Sequence, residues 1–149
     1  LEYKPLPGAL WRVGNAERDV PGDAAGWMAS EDSDVYFAWF DGKLAGQLFI
    51  EAYENNLARV RDIRVAMPSR RRGVGVALLA MAEDWARGRN LGGLCTETQD
   101  VNAGACQFLT RRGFALCGVD ALRYVAESKQ LPKAAGLRET ALLFYKFFR

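Results

Sequence analysis

Residues Ile63 to Leu79, IRVAMPSRRRGVGVALL, constrain the local fold more than any other stretch of this chain. An extended run ends at Met67-Pro68, a basic glycine loop follows, and an amphipathic helical period starts at once. Gly73 and Gly75 let the backbone approach a ligand closely, and Arg70, Arg71 and Arg72 supply positive charge. The amide hydrogens of a first helical turn have no carbonyl partners within the helix, so they point at an anion, reinforced by the helix dipole. A pyrophosphate, and hence an acidic nucleotide cofactor, is the ligand chemistry that such a loop suits.

The segments around this loop fall into a regular order. Val35 to Phe40 is apolar and aromatic and ends in Asp41-Gly42, a strong hairpin signal, from which Leu44 to Ala52 returns. Leu57 to Val65 alternates as a third strand. From Val74 to Arg89 the period is helical, with Val74, Ala77, Leu78, Met81 and Trp85 on one face and Glu83, Asp84 and Arg87 on the other. Leu94 to Gln99 reads as a strand, and Asn102 to Arg112 as a helix capped by Asn102 and stopped by Gly113. Phe114 to Leu122 and Ala141 to Phe147 read as the last two strands. The resulting order, β-β-β-α-β-α-β-β, predicts an α+β fold layered α/β/α, a mixed central sheet with helices packed upon it. Before Val35 little is regular: Ala9 to Val13 suits a strand, and Val20 to Ser30 reads as loop. Leu1 to Gly8 holds two prolines and starts without methionine, as a trimmed end would.

At 149 residues, half of them hydrophobic, the chain suits one domain spanning residues 1–149. A net charge of +2, spread along the whole length, does not argue for nucleic acid. No apolar run approaches the roughly 20 residues of a membrane span, and no export signal is evident, so a cytoplasmic protein is expected. There is no histidine, and Cys95, Cys106 and Cys117 form neither a zinc site nor a closed disulfide framework, so no metal is expected. The three read as small buried hydrophobes. Without histidine, Ser-His-Asp and Cys-His machinery is excluded, and proton transfer falls to carboxylate, tyrosine, cysteine, lysine or water.

The basic loop Arg70-x-x-Gly73-x-Gly75 between strand and helix, followed by a strand, Asn102-x-x-Ala105 and Arg112-Gly113-Phe114, resembles the GNAT superfamily of acetyl-CoA-dependent N-acetyltransferases over roughly Val35 to Phe147. Within it, Glu97-Thr98-Gln99-Asp100-Val101-Asn102, the Gly113 to Asp120 run and the last strand are similar to streptothricin (nourseothricin) acetyltransferases, antibiotic-resistance enzymes that acetylate an amine on the drug's β-lysine arm. The resemblance implies a GNAT-type mixed central sheet flanked by helices, with acetyl-CoA as co-substrate. It implies that amides from Arg71 to Val76, with Gly73, Val74 and Gly75 between them, cradle the pyrophosphate while the arginines neutralise it. A strand distortion near Ile63, Arg64 and Val65 would free backbone groups for the pantetheine arm and the thioester carbonyl, and Asn102 would contact that arm as well as cap its helix.

A lysine-type amine, with a pKa of about 10.4, attacks only when neutral, so a base or a water path is needed. Asp62 is the first choice, because the resembling enzymes carry an acid in that strand; Glu97 is the second. Many relatives protonate the leaving thiolate with a tyrosine seven residues beyond the asparagine, where this chain has Leu109. Tyr124 or water is then the substitute acid. Glu31, Asp32 and Asp34, with Trp39 and Tyr53, could attract and stack on a cationic substrate, but a solvated loop and ordinary core aromatics are the preferred reading, because nothing in the sequence fixes their geometry.

The expected partner is a small-molecule amine, a streptothricin-type antibiotic first, with no nucleic acid and no membrane. The alternatives are a polyamine, amino acid or protein amine as acceptor, or an acyl-CoA sensor without turnover. The aromatic last strand offers an edge for a homodimer.

Overall fold

The hairpin turn at Asp41 and Gly42 sets the register of the first half. Both residues take positive φ, 49° and 72°, the mirror-image turn whose twist matches that of the strands it joins. The computed structural model describes residues 2–3, 10–12, 32–124 and 139–149. Contacts divide the chain into two compact units, Leu1–Leu94 and Cys95–Arg149.

In the first unit, β1 (Glu2–Tyr3), β2 (Leu10–Arg12), β3 (Ser33–Phe40), β4 (Lys43–Tyr53) and β5 (Leu57–Val65) follow one another in antiparallel pairs. Two bulges interrupt them. Ala38 faces Gly46 while Trp39 faces Leu44, leaving Ala45 over; Phe49 faces Asp62 while Ile50 faces Val60, leaving Arg61 over. The helix α1 (Val74–Gly88) buries Val74, Ala77, Leu78, Leu79, Ala82, Trp85 and Ala86, a wider stripe than the sequence period suggested, while Met81 is half-buried. It lies against the sheet face that includes Gly46, where an added Cβ would meet Arg64 O at 2.7 Å and side-chain atoms of Leu78 and Val74 at 3.1 Å. Leu48 and Ile50 are wholly buried there, each contributing about 1.5–3 kcal/mol of apolar burial. On the opposite face Val35, Phe37 and Phe49 form a buried cluster, with Trp39 packed against it.

In the second unit the order is β6 (Gly93–Gln99), β8 (Ala141–Phe147), β7 (Ala115–Asp120), with α2 (Ala103–Arg111) between β6 and β7 in the chain, so the aromatic last strand, expected to offer an edge, is paired on both sides. Asn102 caps α2, its Oδ1 accepting from the Ala105 amide at 3.1 Å, and Gly113 ends the segment with φ 89°. β7 bulges at Cys117, because Leu116 faces Phe144 and Gly118 faces Leu143. The order of elements from β3 onward is the one expected from the sequence, and β2, Leu10–Arg12, falls inside the strand expected at Ala9 to Val13, whereas β1, Glu2–Tyr3, lies where no strand was expected. The loop expected at Val20 to Ser30 lies outside the described residues.

Candidate active site

The loop between β5 and α1 is held by its own backbone. The Ala66 amide donates to Ala45 O at 2.7 Å, Pro68 opens a tight turn over Met67–Ser69, and the Arg70 amide closes on Met67 O at 3.3 Å. Arg70 Nε donates to Val65 O at 3.2 Å, and the Arg72 guanidinium lies 5.1 Å over the Phe40 ring. Two of the three arginines are therefore engaged by the protein itself. Arg71 is exposed, has no side-chain partner among the described residues, and takes a left-handed backbone with φ 61°. Gly73, at φ 81° and ψ 6°, is the cap of α1 and brings no capping side chain. Among the described residues, the first amide after Arg70 to find a backbone carbonyl is that of Ala77, which donates to Gly73 O at 3.1 Å. Alternating left-handed and ordinary backbone turns successive N–H groups toward one concavity, and here the concavity is continued by the open first turn of a helix. Such a loop can bind an anion through its amides before any side chain contributes.

Asp62 stands one residue beyond the Arg61 bulge. Its Oδ1 accepts from Arg64 Nε at 2.9 Å and its Oδ2 from Gln47 Nε2 at 2.5 Å, and its side chain is 17% exposed. Arg61 turns instead to Glu51, at 3.2 Å, and lies 6.0 Å over Phe49. The strand distortion expected near Ile63 to Val65 thus falls at Arg61, whereas Ile63, Arg64 and Val65 stay in regular register opposite Leu48, Gln47 and Gly46. The sequence reading missed Gln47. Its register with Arg64 could be counted from the Glu54–Asn56 turn only by someone who knew of the Arg61 bulge.

In the second unit Glu97 and Tyr124 are brought together: Tyr124 Oη donates to Glu97 Oε1 at 3.0 Å, and Arg123 lies 3.6 Å from Glu97 Oε2. The single phenol proton is thus shared with the Glu97 carboxylate. Leu109 is 4% exposed and is the buried residue of α2. That explains leucine there: the position serves the core.

Asp34 is engaged within the fold rather than presented as a lure. Asp34 Oδ2 accepts from Trp85 Nε1 at 2.6 Å and from Arg89 at 3.2 Å, while the Arg89 guanidinium stacks 3.8 Å above the Trp85 ring. Trp39 belongs to the core cluster, Tyr53 carries Arg59 over its ring at 5.0 Å, and Glu31 lies outside the described residues. The three cysteines form no disulfide; Cys95 is buried as expected, Cys106 is half-buried, and Cys117, left over at the β7 bulge, is exposed like Ala115, Leu116 and Val119 around it. Among the described residues no three histidine, cysteine or acidic side chains gather as a metal site, and no helix is long and apolar enough to cross a membrane.

A model of the acetyltransferase (GNAT) family matches residues 7–114. The chain belongs to that family. A streptothricin acetyltransferase of Escherichia coli is 35% identical over 119 residues, which are 80% of this chain and 65% of that protein. Streptothricin acetyltransferase A of Bacillus subtilis (strain 168) is 36% identical over 98 residues, 66% of this chain and 57% of its own. The chain thus matches 57% and 65% of the lengths of these two curated relatives. A Bacillus anthracis protein described as a streptothricin acetyltransferase, solved in complex with acetyl coenzyme A, superposes with a TM-score of 0.74 at 28% identity, covering 89% of this chain and 70% of that one. The GNAT fold, a mixed sheet with helices, is therefore the fold of this chain, as its sequence suggested.

Proposed function

We propose that this GNAT protein is an acetyl-CoA-dependent N-acetyltransferase that acetylates a primary amine of a small cationic molecule, with a streptothricin-type antibiotic as acceptor. The observation that carries the reading is the loop from Arg70 to Val76, with its two left-handed residues, unpaired amides and open helix start. The relatives named as streptothricin acetyltransferases support the choice of acceptor.

In this reading the amides of Arg71 to Val76 hold the pyrophosphate of the co-substrate, Arg71 adds an exposed charge, and Ile63 to Val65 lie along its arm. Asn102 is proposed to contact the arm from the start of α2. Asp62 takes the proton of the acceptor ammonium, directly or through water, because only the neutral amine attacks. The nitrogen then bonds to the thioester carbonyl carbon, the carbon–sulfur bond breaks, and no covalent enzyme intermediate forms. Tyr124, hydrogen-bonded to Glu97, is the proposed acid for the leaving thiolate; an ordinary thiol pKa of about 8.5 makes that step undemanding. Glu97 remains the second candidate base.

A sensor that binds acetyl-CoA without consuming it is the second reading, and the buried Leu109 in place of the usual acid favours it. Release of free thiol from acetyl-CoA separates the two, measured with streptothricin, spermidine, lysine or a peptide amine and without acceptor. Release with streptothricin alone supports the antibiotic reading. Release with another amine moves the acceptor, and stabilisation by acetyl-CoA without any release leaves the sensor.

A further inference from the structure

Two cross-strand rows lie on the face of the first unit's sheet away from α1. One is Phe37, Gln47 and Arg64 on β3, β4 and β5; the next is Val35, Phe49 and Asp62. Val35, Phe37 and Phe49 are buried, so the Gln47 and Asp62 side chains sit at the polar margin of an apolar cluster. An ionised carboxylate only accepts hydrogen bonds, which fixes the direction of the Gln47 amide: its Nε2 end faces Asp62 and its Oε1 end is turned away. Among the described residues Gln47 Oε1 has no hydrogen-bond partner.

The arrangement has two effects. With Arg64 on Oδ1 and Gln47 on Oδ2, the plane of the Asp62 carboxylate is fixed from both sides, and its remaining lone pairs have set directions. A general base works only when a lone pair lies within about 2.6–3.2 Å of the proton it takes. The second effect concerns charge. Arg64 is a surface cation with a side chain 67% exposed, already paired with the carboxylate that the proposed acceptor ammonium must approach. Gln47 is neutral, so it orients Asp62 without repelling that ammonium, and its carbonyl oxygen adds an acceptor beside it.

We infer that Gln47 is a positioning and specificity residue for the acceptor amine: it holds the Asp62 carboxylate in place through Nε2 and accepts from the incoming ammonium through Oε1. This rests on the reading of Asp62 as the base.

The test is a double-mutant cycle of Gln47→Leu and Asp62→Asn, read as thiol release with whichever amine the wild type acetylates, alongside acetyl-CoA affinity and thermal melting of each variant. Gln47→Leu is expected to lower kcat about tenfold or more and raise KM for the amine, with acetyl-CoA affinity within twofold. In the Asp62→Asn background the same change should have almost no further effect on kcat, because residues acting as one unit lose their contribution once. A merely structural glutamine would instead give the same loss in both backgrounds, and that result overturns the inference. Gln47→Glu is the second variant should Gln47→Leu not fold: it keeps the size, cannot donate to Asp62 when ionised, and should lose turnover similarly, whereas wild-type turnover would overturn the proposal. If Asp62→Asn leaves the rate unchanged, or the wild type turns over no amine, the reading of the site falls first and takes this inference with it.

Discussion

Gly73 and Arg71 take the same backbone region for different reasons. Gly73, at φ 81°, pays little, but a side chain with Cβ in a left-handed conformation costs about 1–2 kcal/mol. Arg71, at φ 61°, carries such a cost in the folded protein, and backbone strain of this kind concentrates where a ligand is held. Gly73→Val is expected to abolish acetyl-CoA binding while the protein still folds, since the loop would rearrange to escape the strain; calorimetric titration with CoA checks it, and an unchanged affinity would remove the phosphate loop from the site. Asp62→Asn should lower turnover at least tenfold and flatten its pH dependence while CoA affinity stays within twofold, measured as thiol release across pH 6 to 9 on the order expected for loss of a general base. An unaltered profile would pass the role to Glu97 or water. Leu109→Tyr, which would restore the aromatic acid of many relatives, is expected to destabilise the protein by about 1–3 kcal/mol, because a larger ring must enter a site that is already filled. Chemical denaturation reads that cost.

Between elements, the best-defined brace is the one joining β3 to α1. Trp85, 4% exposed, donates to Asp34 from 51 residues away, and Arg89 adds a surface charge to the same oxygen. Asp34→Asn keeps an acceptor for the indole and should cost less than about 1 kcal/mol, as expected for loss of an exposed ion pair. Asp34→Ala leaves the indole N–H unmet and should cost about 1–3 kcal/mol. Equal losses from the two substitutions would mean that the charge matters and the indole does not. This brace also marks the limit of what the sequence reveals. Helix and strand boundaries near Asp41-Gly42, Asn102 and Gly113 were legible because each depends on a few adjacent residues and a local backbone requirement. The tight turn at Met67-Pro68 and the start of α1 after Gly73 were legible for the same reason. Asp34 with Trp85, Tyr124 with Glu97 and Gln47 with Asp62 join residues 51, 27 and 15 positions apart, and no local pattern encodes such meetings. The two bulges at Ala45 and Arg61 shift register by one residue each, so even a correct hairpin would place the wrong side chains opposite one another.

For the whole molecule, the absence of histidine means that few side chains change charge between about pH 5 and 8, so stability should vary little there. The clear departure lies at high pH. Burial, and then the Asp34 carboxylate, push Tyr36 from 10.0 up to about 12, with Arg89 opposing. Between those values the folded protein holds a proton that the unfolded chain has released, so unfolded chains bind fewer protons and stability falls as pH rises. The contribution is complete below about pH 10 and gone above about pH 12. Tyr36→Phe should remove this part of the alkaline loss, and denaturation of both proteins at pH 9 and 11.5 measures it; parallel losses would mean that Tyr36 ionises as freely in the fold as outside it.

The Cys117 bulge gives the thiol assay an internal standard. Of the three cysteines only this one is exposed, so a colorimetric thiol reagent should meet one fast equivalent per folded chain and three per unfolded chain. At a known protein concentration, the height of that first burst gives the fraction of chains that are folded, before any coenzyme A has been released.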